Sequence, residues 1–416
     1  MSCPFAPTTP AATGRVPVPA TAPLAGALPE AYPEQVLDRH RCVEDPRTVR
    51  EVLRRAEDFV PDNALSTVVP LAPATLRRLA AAGFALPPVL ASASGPGHRH
   101  VRRVVARFFS PARVGTQAGA VAGLVREACA GIRGRLEAGG EVDLAQEVAG
   151  VVPPVIISAL TGVPNPAHAD LKRWSRDSLE LFWGWPEPGR QLKLANSAIA
   201  FHAWLGEAVD RCLAEERASP DLPGGQNLFA ALDGAGVERD RIRSLGYFLM
   251  IAGQETTAML AQTALSTALA DGRWAESEGH WADCADPESG AAASRAVVAS
   301  VLARASSVPT WRRVVAADTR VGDEAFTAGE HLVLQLSGGQ LGETEDASLA
   351  FGFGLHRCLG AGLAELEAAV ILHECARAMP DLDPVGVPQW GHLLSFQAPR
   401  TVPVRVRPSV PVGVRA

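Results

Sequence analysis

What this sequence lacks narrows the field first. No two cysteines are spaced C-x-x-C, and the seven present (positions 3, 42, 129, 212, 284, 358 and 375) are scattered and odd in number. That argues against a zinc site and a disulfide framework; reduced thiols in a cytoplasmic protein are the expectation. Positive charge is not in excess: the net charge is −6 and the isoelectric point near 6.0, which speaks against a nucleic-acid partner. Residues 1–29 are rich in Pro, Ala and Thr and have no basic start followed by an apolar block. Neither a signal peptide nor a membrane anchor is expected there. No Gly-x-Ser-x-Gly string occurs, and no Gly-x-Gly-x-x-Gly follows a predicted strand, so a hydrolase elbow and a dinucleotide-binding turn are both excluded.

What is present is a chain of 416 residues, 47% apolar, ample for a large core. That length suits two or three average domains or one large α-rich enzyme. Residues 1–33 read as a flexible arm that packs late over the surface. Helical patterning then dominates: 47–57 behind an Asp45-Pro46 cap, 118–163 with a break at Gly139-Gly140, two helices across 167–218, one long helix over 238–270, and 291–304. Segments 60–97, 219–226 and 271–290 read as loops, the first long enough to cover a ligand. Short strands over 319–335 turn at Ala328-Gly329, and 392–406 reads as a hairpin.

Three clusters carry chemistry. Phe351-Gly352-Phe353-Gly354-Leu355-His356-Arg357-Cys358-Leu359-Gly360 runs into a predicted helix over 361–378. A thiol at a helix N-terminus, beside His356 and Arg357, is placed where free backbone N–H groups and the helix dipole favour thiolate. Such a sulfur suits a soft metal, haem iron foremost; a buried structural cysteine is the plain alternative. Second, Ala252-Gly253-Gln254-Glu255-Thr256-Thr257 puts a glycine, costing up to about 1 kcal/mol in a helix interior, and an acid beside two threonines in an otherwise apolar helix. A threonine hydroxyl there can turn back onto a carbonyl and open a niche for a small ligand. Third, His98 and Arg102 share a helical face and suit a pair of carboxylates, while Arg99, Arg103 and Arg107 face outward. The aromatic run from Phe182 to Trp185, beside Gly and Pro, suits either a lid or ordinary packing.

The ten-residue string resembles the haem-ligand loop of the cytochrome P450 superfamily (Phe-Gly-x-Gly-x-His-x-Cys-x-Gly) at every defining position. Residues 252–257 are similar to the same family's oxygen-binding groove, and His98-x-x-x-Arg102 to its propionate ligands. The resemblance runs over about residues 34–406. It implies a mainly α fold with small β-sheets, one domain over 34–416 enclosing haem b (iron protoporphyrin IX). Cys358 is then the metal ligand. His98, Arg102, Arg313, Phe351, Gly352, His356 and Gly360 bind the cofactor. Ala252, Gly253, Glu255 and Thr256 form the catalytic groove, with Glu255 and Thr256 handing protons toward dioxygen. Electrons are expected from a ferredoxin and ferredoxin reductase pair docking on the outward arginines. Leu249, Val308, Leu394, Ser395 and Phe396 are the expected substrate contacts. The implied protein is a cytoplasmic monomer without membrane or nucleic-acid contacts.

The pattern fails in one place. Family members carry Glu-x-x-Arg on the helix over 291–304, and here Ser300 and Ala303 stand at those positions. Glu51-x-x-Arg54 has the same spelling but lies far too early to replace it. Residues 336–350 are also shorter than the usual segment, and lack the Arg that pairs with the missing Glu. Losing all partners of a buried ion pair together can be nearly neutral, so a relocated support is expected. Members lacking the pair resemble a streptomycete group of secondary metabolism. C–H hydroxylation of a hydrophobic natural product is the first functional reading. Radical coupling, for instance of a tryptophan-containing cyclodipeptide, is the second, and a non-catalytic haem-binding protein the third.

Overall fold

The computed structural model describes residues 32–218, 227–270, 280–339 and 349–407. Most of the expected arm, the loop at 219–226, residues 271–279 of the loop expected over 271–290 and most of 336–350 lie outside these residues.

Four small sheets flank a mainly helical body. The largest orders β1(Arg41–Val43), β7(His331–Gln335), β4(Thr310–Val315) and β2(Phe59–Val60), with β1 parallel to β7 and the other pairs antiparallel. Strands β5(Thr319–Val321) and β6(Glu324–Phe326) form a hairpin. Its turn sits at Gly322 (φ 55°), not at Ala328-Gly329. The C-terminal hairpin is shorter than expected as well. Strand β9(Trp390–His392) pairs with β10(Gln397–Pro399), whereas β11(Pro403–Val406) leaves to join β3(Val142–Asp143) and β8(Leu382–Pro384).

The helix Pro46–Arg54 begins where Asp45 accepts a hydrogen bond from the Thr48 N–H at 2.7 Å, and it ends three residues before the expected limit. The segment 60–97 is not all loop; it contains the helix Pro73–Ala81. Likewise the short helix Trp281–Ala285 interrupts the loop expected over 271–290. The helix Ala361–Ala378 is the centre of the core. Its residues Leu366, Ala369, Val370, Ile371 and Leu372 are buried among Val121 and Val125 of the helix Ala118–Glu137, Leu260 and Ala264 of the helix Glu255–Leu269, and Val297 and Val301 of the helix Gly290–Arg304. Its central placement buries a mostly apolar surface on several sides, together with Glu367, His373 and Glu374. No described helix is long and apolar enough to cross a membrane.

The expected long helix is two helices, Arg239–Ala252 and Glu255–Leu269, with a break at Gly253-Gln254. The cause is local. A Cβ on Gly253 would come within 2.8 Å of the Leu249 carbonyl oxygen and 3.1 Å of Ile157 Cγ1. Only glycine allows the helix Val152–Thr161, which carries Ile157, to approach so closely.

Candidate functional site

The Cys358 loop and the helix break face each other across one cavity with about 1510 Å³ of empty space, its open mouth included. Below lie Phe351, Gly352, His356, Cys358 and Gly360; above lie Leu249, Ala252, Gly253 and Thr256. The loop is folded on itself: the Cys358 N–H donates to the Phe351 carbonyl at 2.8 Å, and the Gly352 N–H to Leu349 at 2.6 Å. Gly352 and Gly354 hold left-handed conformations (φ 70° and 67°), which explains both glycines. The Cys358 side chain is exposed, but to the cavity rather than to outer solvent.

The electrostatics of that sulfur differ from the sequence expectation. Burial raises the Cys358 thiol above its ordinary value. The Gly360 N–H, the Arg102 and Arg357 guanidiniums and the Ala361 N–H all pull it back without prevailing. A thiolate here therefore needs a cation bound to it.

Four basic groups gather at or just behind the cavity edge, Arg313 and His98 buried and Arg102 and His356 partly so. Arg102 and Arg313 line it, and Arg313 is only 1% exposed, with its guanidinium bonded to the Arg312 carbonyl at 2.8 Å and its Nε unpartnered. Burial lowers the Arg313 pKa to about 10. His356 bonds the Ala93 carbonyl at 2.8 Å through Nε2 and leaves Nδ1 unpartnered. His98 packs behind His356, ring centroids 4.8 Å apart, with neither nitrogen partnered. Burial, aided by Arg102 for His98 and Arg313 for His356, holds both imidazoles at about 4. Buried cations and unpaired donors are costly without anionic partners. Arg102 also donates to the Arg357 carbonyl, tying the helix Gly95–Ala106 to the loop. His98 does not itself line the cavity, which corrects the expectation of a direct contact.

At the break, the Thr256 hydroxyl donates to the Ala252 carbonyl at 2.6 Å and the Thr257 hydroxyl to Gly253 at 3.4 Å. Ser307, also in the cavity wall, donates to the Thr256 carbonyl at 3.0 Å. Glu255 turns out of the cavity. Its carboxylate meets Lys172 Nζ at 2.7 Å and the Gln254 amide at 3.1 Å, and Gln254 in turn reaches Ser175 at 2.8 Å. Lys172 escaped the sequence reading because its partner lies 83 positions away, and no local pattern marks such a pair.

Of the expected substrate contacts, Leu249, Val308 and Phe396 line the cavity. Leu394 and Ser395 do not: both are fully buried, Leu394 against Tyr32, Val36 and Val68 and Ser395 beside Thr310. Residues 393–396 form the turn of the hairpin, closed by the Leu393 N–H to the Phe396 carbonyl at 2.7 Å, so strand alternation does not set which side chain enters the cavity. Trp183, read in the sequence as part of a lid or of ordinary packing, and Trp311, not marked there as a wall residue, complete the wall. Trp183 meets Phe396 edge-on at 5.0 Å and Trp311 at 6.2 Å. Phe182 and Trp183 are buried, so packing, not a lid, accounts for the aromatic run.

The residues present fit haem: a flat apolar body between the two walls, a soft ligand beneath it, and carboxylates answering the unpaired donors at the edge. No known family profile matches the chain. Individual relatives do. The erythromycin C-12 hydroxylase of Saccharopolyspora erythraea is 27% identical over 67% of this chain and 70% of its own. Cytochrome P450 107B1 of the same organism is 26% identical over 77% and 78%. Among solved structures, cytochrome P450 CREJ, in complex with (4-ethylphenyl) dihydrogen phosphate, superposes with a TM-score of 0.78 at 25% identity, covering 90% of this chain and 93% of that one. In sequence and in fold this chain is similar to cytochrome P450s over most of its length.

Like these relatives, it is an oxidoreductase of the monooxygenase type. The family uses haem, dioxygen, electrons from a redox partner and a small-molecule substrate. Several of its relatives act in bacterial secondary metabolism, among them the cyclomarin C epoxidase of Salinispora arenicola, 24% identical over 70% of this chain.

Proposed function

We propose that this chain binds haem b through Cys358 and hydroxylates a C–H bond of a hydrophobic natural product. One observation carries the reading: Cys358 and Thr256, from the loop and from the helix break, line the same cavity. Bound haem supplies the activation of dioxygen that lets an unactivated carbon be oxidised, with thiolate donation favouring O–O cleavage. Phe351, Gly352, His356 and Gly360 shape the lower wall. Arg102 and Arg313 answer the cofactor's carboxylates, with His98 behind His356 as the next donor.

Thr256 holds a proton at Oγ1 that it can pass into the cavity in exchange for its bond to Ala252. Glu255 is the reservoir behind it, reached by breaking the Lys172 contact. Gly253 and Ala252 keep the niche small. Leu249, Val308 and Phe396 exclude water and hold an apolar substrate. Arg99, Arg103 and Arg107 are exposed on one helix and suit an acidic ferredoxin.

The aromatic wall of Trp183, Trp311 and Phe396 favours a second reading, radical coupling of an aryl substrate such as a tryptophan-containing cyclodipeptide. Mere haem carriage would leave the Thr256 niche without a use. The test is the absorbance of reduced protein with carbon monoxide. A strongly red-shifted Soret band is expected, lost in Cys358→Ala; an unchanged spectrum in that variant defeats the proposal. Turnover with a surrogate ferredoxin pair then separates hydroxylation from coupling.

A further inference from the structure

We infer that Arg50, from the helix Pro46–Arg54, is a positioning residue for the Cys358 loop, replacing the support that the missing Glu-x-x-Arg pair leaves absent; the inference rests on the haem-thiolate reading above. The Arg50 guanidinium lies over the Phe353 ring at 4.8 Å. Phe353 packs on the apolar cluster that includes Val49, Val52 and Leu53 of the same helix. One residue on, a Cβ at Gly354 would come within 3.1 Å of the Leu53 carbonyl oxygen and 3.5 Å of Arg54 Cα. Leu53 itself lines the cavity. The helix therefore meets the loop at two successive residues, one by ring stacking and one by backbone contact.

The position matters because the loop is set in a conformation it would not keep alone. Two left-handed residues and the Cys358 N–H to Phe351 bond fix where the sulfur points. Phe353 sits between those two glycines, so a clamp on its ring restrains both. On the helix Gly290–Arg304, by contrast, Ser300 and Ala303 bring no charge to the region. The Glu51 and Arg54 side chains pair with each other at 2.6 Å in solvent, and contribute nothing to the loop through that pair. An arginine stacked on an aromatic face is also not replaced by lysine on equal terms.

The experiment uses the full chain reconstituted with haem. It measures the rate of haem loss to a scavenger protein and the share of the reduced carbon monoxide complex showing the thiolate band. Arg50→Met should raise the loss rate by about 2- to 30-fold, the range a cation–π contact spans, and lower the thiolate share. Arg50→Lys should recover part of both. Phe353→Leu should do the same as Arg50→Met, and the double variant little more. Glu51→Gln should change neither quantity. If Arg50→Met matches the parent in both readouts, or if its effect simply adds to that of Phe353→Leu, the inference is overturned while the haem reading stands. A parent protein that takes up no haem defeats both.

Discussion

Lys172 holds the Glu255 carboxylate at 2.7 Å, on the far side of the helix break from the cavity. The pair is largely withdrawn from solvent, its side chains 20% and 12% exposed. The acid that the sequence marks for proton delivery is thus stored away from the niche, with its charge compensated.

Removing the lysine leaves a nearly buried carboxylate with only the Gln254 amide beside it. Lys172→Met should therefore lower stability by about 1–3 kcal/mol, read by denaturant unfolding. The double variant Lys172→Met with Glu255→Gln should recover most of that loss, since no charge then remains unpaired.

Thr256→Ala deletes the hydroxyl that holds the Ala252 carbonyl. Product formed per electron pair should fall by up to about 100-fold, with hydrogen peroxide rising in its place, while haem content is unchanged. Equal product yield in parent and variant would remove Thr256 from the proton path.

Phe396→Leu keeps the cavity apolar but takes away an aromatic edge from Trp183. Affinity for an aromatic substrate should drop by about 2- to 10-fold, and that for an aliphatic one should hold. Optical titration of the haem band with both classes gives the comparison; a uniform drop would point to general packing damage instead.

His40 bonds the Val36 carbonyl at 2.9 Å, and burial is the main cause of its pKa falling to about 4, with Arg312 and His331 adding to it. The folded chain therefore binds fewer protons than the unfolded chain between pH 6.5 and 4. Stability is fully present above pH 6.5 and declines as pH falls through that window. Discounted for screening, the decline from this residue should be roughly 1–2 kcal/mol. His40→Gln should flatten the acid limb of stability measured by denaturant titration.

The sequence made the Cys358 loop and the 252–257 stretch legible because both are local: glycines, a thiol and threonines within a few positions constrain the backbone by themselves. The break at Gly253 was read as a costly residue inside one helix, because its cause, Ile157 on another helix, is not local. Leu394 and Ser395 failed for a similar reason. Which side of a turn faces a cavity depends on what packs behind it, here Tyr32 and Thr310, whose hydroxyls both bond the Leu394 carbonyl. Lys172 and Trp311 were invisible as site residues, since only the third dimension brings them to Glu255 and Phe396; Trp183 stood in an aromatic run whose partners the sequence did not show. The absent Glu-x-x-Arg pair was plain in the sequence; the stack of Arg50 on Phe353 was not.

The helix Ala361–Ala378 has a further consequence. It begins three residues beyond the Cys358 side chain that opens to the cavity, and then runs through the middle of the apolar interior, packed against the helices Ala118–Glu137, Glu255–Leu269 and Gly290–Arg304. Colour and architecture are therefore linked along a single rod. Bleaching of the pigment on heating should track the collapse of helicity in one step, making the visible spectrum a built-in gauge of whether the body is intact.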